Sequence, residues 1–467
     1  MRDRTTEALP PAGQTGALEG TGLRQVVAVL STVQIVCWGV LYYAFAALQS
    51  SITADTGWSS VAVTGAFSLA QFISGGVGIW VGRHIDDFGP RRVMTSASLV
   101  AVPGVLVVAW APNLWWFYLG WALVGVAMAG TLYPPAFAAL TRWGGSRRVG
   151  ALTTLTLVAG LASTVFAPLA SVLDDWLGWR GAYLVLLGAL IIITVPLHWW
   201  GLDHPWNSLH AVRTSRVEDA GVPDLNRGRA SLAPVTHSSP FLLLTLANAL
   251  TALAVFAVVI NLVPMLVEQG MSRNLAAVSL GLGGVGQVIG RLGYARFAAS
   301  TSVTARGVIV LAGVSIATTA LALASTPASL IALGMVLGLV RGIYTLIQAT
   351  AITDRWGPSA YGTLNGILTA PALTASAAAP FAGAALADLL GSYRDAFLVL
   401  AALAGVAAVL MVEAAPRDRR ADPGLAPRSR RGSHAPDQGL DRRGQQPPSP
   451  DSDAGPRTPR PVPHIPS

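Results

Sequence analysis

The densest cluster of groups able to do chemistry is the run GRHIDDFGPRR, in which Asp86, Arg91 and Arg92 carry charge while Gly82 and Gly89 add freedom of backbone approach and turn. Asp86 can pair with Arg91 or Arg92, or accept the unpaired N–H groups that open a neighbouring helix. Gly89 followed by Pro90 forces a turn before the next helix. A second feature is a lone cation. Arg341 interrupts the apolar run GLVRGIYTL, where a charge must face water or a partner. No Asp or Glu lies inside an apolar run to neutralise it. Either an anionic solute supplies the missing charge, or carbonyls and amides at a helix interface satisfy the guanidinium.

Further polar residues share helix faces with these. Tyr344 and Gln348 follow Arg341 at spacings that put all three on one face. Gln34, Trp38 and Tyr42 form a stripe at intervals of four, a pattern that also suits plain packing. Asn248 and Asn261 stand about 220° apart on an ideal helix, so only one of them can easily face a shared cavity. Arg291, preceded four residues earlier by Gln287, is either a solute contact or an arginine reaching for the membrane interface.

No other chemistry is signalled. The seven histidines fall mostly in loops and make no metal-spaced pair within a helix, and there is no phosphate-cradling loop of the ATPase kind. No catalytic residues, metal ligands, cofactor or nucleic-acid partner are expected. The single cysteine, Cys37, cannot form a disulfide within the chain.

The elements that position these residues are set by the solvent they need. The sequence is 52% hydrophobic and 12% charged, and its mean hydropathy is +0.54, values that point to lipid. The apolar residues come in runs of about 20, the length a helix needs to cross a bilayer. Spans are expected at 25–48, 60–82, 93–111, 114–140, 150–172, 181–200, 240–267, 275–296, 306–325, 328–353, 361–386 and 394–414. The fold class is therefore all-α integral membrane with twelve transmembrane helices. Trp58, Trp110, Trp115, Trp176, Trp199 and Trp356 fall near span ends, as an interfacial aromatic belt requires.

There is no lysine, and arginine alone sets the orientation. Arg83, Arg91, Arg92, Arg142, Arg147, Arg148, Arg213, Arg216, Arg227, Arg229, Arg291, Arg296, Arg306 and Arg355 cluster on one side, against Arg180, Arg273 and Arg394 on the other. The arginine-rich side is expected to be cytoplasmic, with both termini inside a bacterial cytoplasmic (inner) membrane. Residues 1–24 form a polar cytoplasmic segment with no signal-peptide pattern. Bundles at 25–200 and 240–414 flank a cytoplasmic linker at 201–239. Residues 415–467, rich in Arg, Pro, Ser, Gly and Asp, are expected to be a disordered cytoplasmic tail.

An internal repeat divides the chain. TLYPPAFAALTRWG at 131–144 matches YTLIQATAITDRWG at 344–357 at an offset of 213. Gly150 and Pro168 find Gly362 and Pro380 at 212, and DWLGWRGAYLVL at 175–186 resembles DLLGSYRDAFLVL at 388–400. A parallel duplication of six helices follows, the arrangement in which a site lies near mid-membrane between two rocking halves. GGVGQVIGRLGYARF at 283–297 also echoes GGVGIWVGRHIDDF at 75–88, but at 208 and without an acid matching Asp86. The longer repeat instead pairs Arg291 with Gly78.

Gly82, Asp86, Gly89, Arg91 and Arg92 together resemble the signature loop between the second and third helices of the major facilitator superfamily. With the span count and duplication, the resemblance covers roughly residues 25–414. It implies two pseudo-symmetric six-helix bundles, a cavity lined by helices 1, 4, 7 and 10, and a latch between the loop and helix 11, beginning near Tyr361. Trp121 stands where proton-coupled drug exporters carry an arginine, and AGLASTVFAPLAS lacks the antiporter glycines. Arg291 with Gln287 is distantly similar to the helix-8 arginine of monocarboxylate and oxalate/formate carriers, which in the monocarboxylate branch has an acid partner.

The function expected is secondary transport of a small organic solute, organic anions among the candidates, by alternating access. Its partners would be that small-molecule substrate, a coupling ion (proton or sodium) and the bilayer. The sequence gives no oligomeric state, and a monomer suffices. A multidrug or metabolite exporter of the same superfamily is the alternative within the class; a non-transporting sensor or scaffold is the alternative outside it.

Overall fold

A computed structural model describes residues 17–18, 20–206, 232–358 and 360–414. The expected N-terminal segment up to residue 16, most of the linker and the arginine-rich tail lie outside the described residues. What is described is helical throughout and makes twelve crossings.

The first half contains α1 (Gly20–Thr56), α2 (Ser60–Phe88), α3 (Pro90–Ala109) and α4 in two pieces (Leu114–Thr131 and Tyr133–Gly144). α5 begins as Arg148–Ala159 and runs into the stretch Ala162–Ala189, which turns back at Gly178. The remainder, down to Gly201, is α6. The second half contains α7 (Ser239–Ile260 and Leu262–Glu268), α8 (Arg273–Ser300), α9 (Val303–Leu323), α10 (Pro327–Trp356), α11 (Tyr361–Leu390) and α12 (Tyr393–Glu413). By length and apolarity alone, nine stretches of the described residues could cross a membrane, and one of these, Leu114–Gly201, holds α4, α5 and α6.

Helix ends follow local chemistry. Ser59, Asn113, Ser238, Ser272, Ser302, Thr326 and Ser392 accept a backbone N–H from the first turns of the helices they precede. Gly57, Gly89, Gly178, Gly357 and Gly391 turn the chain with positive φ. Several helices outrun the expected spans. α2 continues to Phe88, so Asp86 stands on its last turn and not in a loop.

The 213-residue repeat is visible in packing. A methyl at Gly125 of α4 would lie 2.5 Å from the Ala70 carbonyl oxygen of α2, and one at Gly338 of α10 would lie 1.9 Å from that of Gly283 in α8. Gly125 and Gly338, like Ala70 and Gly283, are related by 213 positions, as are the turn glycines Gly178 (φ 68°) and Gly391 (φ 79°). The shorter echo at 208 is out of register: Gly82 faces α11, whereas Gly290 faces Leu339 of α10.

The halves differ at one helix. α10 is unbroken, while α4 breaks at Leu132 (ψ −162°) just before Pro134 and Pro135. Proline has no N–H, so the carbonyls one turn earlier lose their helical donors.

Candidate functional site

Two places join the halves, a sealed interface at the arginine-rich end and a group of arginines and aromatics deeper in the membrane.

At the sealed end α2 and α11 lie backbone to backbone. A methyl on Gly82 would stand 2.0 Å from the Gly362 carbonyl oxygen, and one on Gly366 would stand 2.7 Å from that of Gly78. This contact brings the buried Asp86 carboxylate to the first turn of α11. Its Oδ1 accepts from the Gly362 amide at 3.0 Å, and Oδ2 accepts from the Thr363 amide at 2.7 Å and the Thr363 hydroxyl at 2.8 Å. The carboxylate thus satisfies N–H groups that a helix start leaves unpaired, at the positive end of its dipole.

The basic residues of the loop do other work. Arg91 pairs with Asp203, donates to the Trp199 carbonyl at 2.7 Å and covers the Trp199 ring, and Arg92 is exposed. Neither takes Asp86 as partner, because α2 carries that side chain inward to α11. Gly89 (φ 81°) lies against Trp206, whose indole donates to the Asp86 backbone carbonyl at 3.3 Å. Arg142 stacks over the same ring.

The interface continues at α5. Arg148 lies 3.8 Å from Asp354 of α10, which also pairs with Arg306. Arg291 of α8 is 4% exposed and donates to the Thr156 carbonyl at 2.6 Å, beside Gly160. From there α8 runs on to Ser300, about 14 Å of helical rise farther. The second half crosses the gap with a cation on a carbonyl, where the first half uses an anion on amides.

Deeper in the membrane, Arg341 is half-buried, its guanidinium 5.5 Å from the centre of the Phe256 ring of α7. Among the described residues neither Arg341 nor Arg291 has an acidic partner. Arg341 lies close enough to Tyr42 and Tyr133 of the first half for electrostatic interaction, as does Arg291 to Tyr43 and Tyr133, and the two arginines feel one another. The tyrosines belong to an aromatic group around Trp38, whose ring centre is 5.1 Å from Tyr42 and 5.0 Å from Tyr133. Two cations therefore lie within electrostatic reach of aromatic residues across the junction of the halves.

The remaining candidates are tied up nearby. Tyr344 donates to Asn248 Oδ1 at 2.6 Å, and Gln348 donates to the same oxygen at 2.7 Å, which locks α10 to α7. The three residues expected to share a face of α10 all meet α7, Arg341 at Phe256 and the other two at Asn248. Asn261 packs at Gly383 of α11 and donates to the Ala257 carbonyl at 2.8 Å, far along α7 from Asn248. Gln34 donates to the Thr131 carbonyl at 2.7 Å and accepts the Trp38 indole at 3.1 Å. That carbonyl is one left without its helical donor by Pro135, so Gln34 repairs the break in α4.

Thr156, Thr363, Tyr43, Tyr133 and Phe256 were not singled out from sequence. Thr156 takes part through a carbonyl that any residue would supply. Tyr133 had a signal in the Pro134–Pro135 pair beside it.

Comparisons with known proteins agree with this architecture. The family model of the Major Facilitator Superfamily matches residues 30–329 and 303–450. Monocarboxylate transporter 13 of Bos taurus is 27% identical over 372 residues, covering 78% of this chain and 81% of its own length. The crystal structure of the transporter FucP in an outward conformation superposes with a TM-score of 0.66 at 15% identity, over 84% of this chain and 99% of FucP. The human organic anion transporter MFSD10 gives 0.63 at 15% identity, over 84% and 100%. With the family model spanning most of the sequence, this chain belongs to the Major Facilitator Superfamily and is a secondary transporter.

Proposed function

We propose that the transported solute is a small organic anion, bound through its carboxylate at Arg341 with its apolar body against Trp38, Tyr42 and Tyr133. The observation that carries this reading is Arg341 itself: a half-buried cation in mid-membrane, without an acidic partner among the described residues and within electrostatic reach of aromatic residues across the junction of the halves. A carboxylate supplies the charge, and the rings supply dispersion and burial. The naming of two relatives as a monocarboxylate transporter and an organic anion transporter supports the same class.

Transport proceeds by alternating access between bundles at 25–200 and 240–414. Asp86 and Arg291 hold the arginine-rich side shut in the state described. By the positive-inside rule that side is cytoplasmic, in a bacterial inner membrane with both termini inside.

A thermal-stability screen of the purified protein against benzoate, succinate and tetraphenylphosphonium tests the solute class. A ligand that binds only the folded protein stabilises it by about 2.7 kcal/mol at a hundredfold excess over Kd. A carboxylate should raise the unfolding midpoint and the cation should not. Stabilisation by the cation alone would move the protein to the exporter class.

A further inference from the structure

The membrane interior of this chain holds positive charge with no negative charge to match it. Every acid on the described helices sits within about one turn of a helix end: Asp55, Asp86, Asp87, Asp174, Asp175, Glu268, Asp354, Asp388, Asp395 and Glu413. Asp86 is held by Gly362 and Thr363, and Asp354 by Arg306 and Arg148. Arg341 lies about 22 Å of helical rise from the end of α10, and Arg291 about 14 Å from the end of α8. The buried histidine among the described residues, His198 of α6, has its Nδ1 on the Ser98 hydroxyl of α3, inside the first half. Among the described residues no carboxylate pairs with either arginine to take up a coupling proton.

We infer that this carrier exchanges one organic anion for another and does not return empty. The inference rests on the anion reading above and specifies its mode of coupling. To change sides the protein must close the arginine-poor side over Arg341 and release Arg291 from Thr156. With an anion in place the charge that becomes enclosed is matched. Without one, Arg341 loses water and gains no partner, while Arg291 gives up the Thr156 carbonyl, which disfavours the empty crossing. A symporter avoids this penalty with an acid that pairs with the cation or takes a proton, a residue type missing from the middle of these helices.

The test reads the empty carrier directly. Ala138 of α4 is 3% exposed, sealed against α2 and α11 beside Val81 and Gly362, and becomes reachable when the arginine-rich side opens. In a Cys37→Ala background, an Ala138→Cys reporter is labelled by an impermeant maleimide in membranes open on that side, with chloride as the only small anion. Labelling should be slow with Arg341 present, remain slow in Arg341→Lys, and rise at least about tenfold in Arg341→Gln, because removing the charge frees the empty carrier to cross. Benzoate should accelerate the Arg341 protein strongly, Arg341→Lys more weakly and Arg341→Gln not at all. Matched unfolding midpoints of the three proteins guard against misfolding. Equal rates for Arg341 and Arg341→Gln without organic anion overturn the exchange inference even if benzoate stabilises the protein. Slow labelling relieved by Arg341→Gln, with neither benzoate nor succinate binding, upholds the charge lock and rejects the anion class instead.

Discussion

Asp86 and Thr363 meet across the junction of the two halves, the carboxylate accepting both the amide and the hydroxyl of the threonine at 2.7 and 2.8 Å. Hydrogen bonds to a charged acceptor contribute about 1.5–3 kcal/mol each, and an asparagine keeps the shape but loses the charge and one acceptor. Asp86→Asn should therefore leave the protein folded while destabilising the state closed at the arginine-rich side. Anion flux in reconstituted vesicles should collapse. Unchanged flux would remove the latch from the account.

A steric version of the same test lies one turn away. Gly82→Ala places a methyl 2.0 Å from the Gly362 carbonyl oxygen, a backbone atom that cannot swing aside. The helices must separate, so spin labels on the arginine-rich ends of α2 and α11 should report a wider distance. A distribution identical to wild type would show that the close approach is not needed for closure.

Gln34 is predicted to matter for stability before transport. Gln34→Leu leaves the buried Thr131 carbonyl without the donor that replaces the missing proline N–H. An unsatisfied buried polar group costs about 1–3 kcal/mol. The apparent unfolding midpoint should fall, and an unchanged midpoint would mean that the break in α4 is satisfied in another way.

How far sequence led differs between fold and site. The crossings, the duplication and the latch loop were legible because lipid imposes span length and because Gly82, Asp86 and Gly89 keep a fixed spacing. The register of the repeat was legible too, in Gly125 and Gly338, since close helix packing leaves glycine in both copies. Arg341 stood out for the cost of a charge in hydrocarbon. The partners did not: Thr156 acts through its backbone, Thr363 by opening α11, and Phe256 and Tyr133 are aromatics in a chain full of them. Helical spacing also grouped Tyr344 and Gln348 with Arg341, and all three meet α7, the first two at Asn248 and Arg341 at Phe256.

The central claim is that Arg341 binds the carboxylate of the transported solute. Calorimetric titration of the wild-type protein, Arg341→Lys and Arg341→Gln with whichever of benzoate and succinate stabilises more strongly tests it most directly. Removing one partner of a buried charge pair costs about 2–5 kcal/mol, so Arg341→Gln should lose roughly thirtyfold or more in affinity while Arg341→Lys retains part of it. Equal affinity in all three proteins would return Arg341 to a structural role and contradict the account.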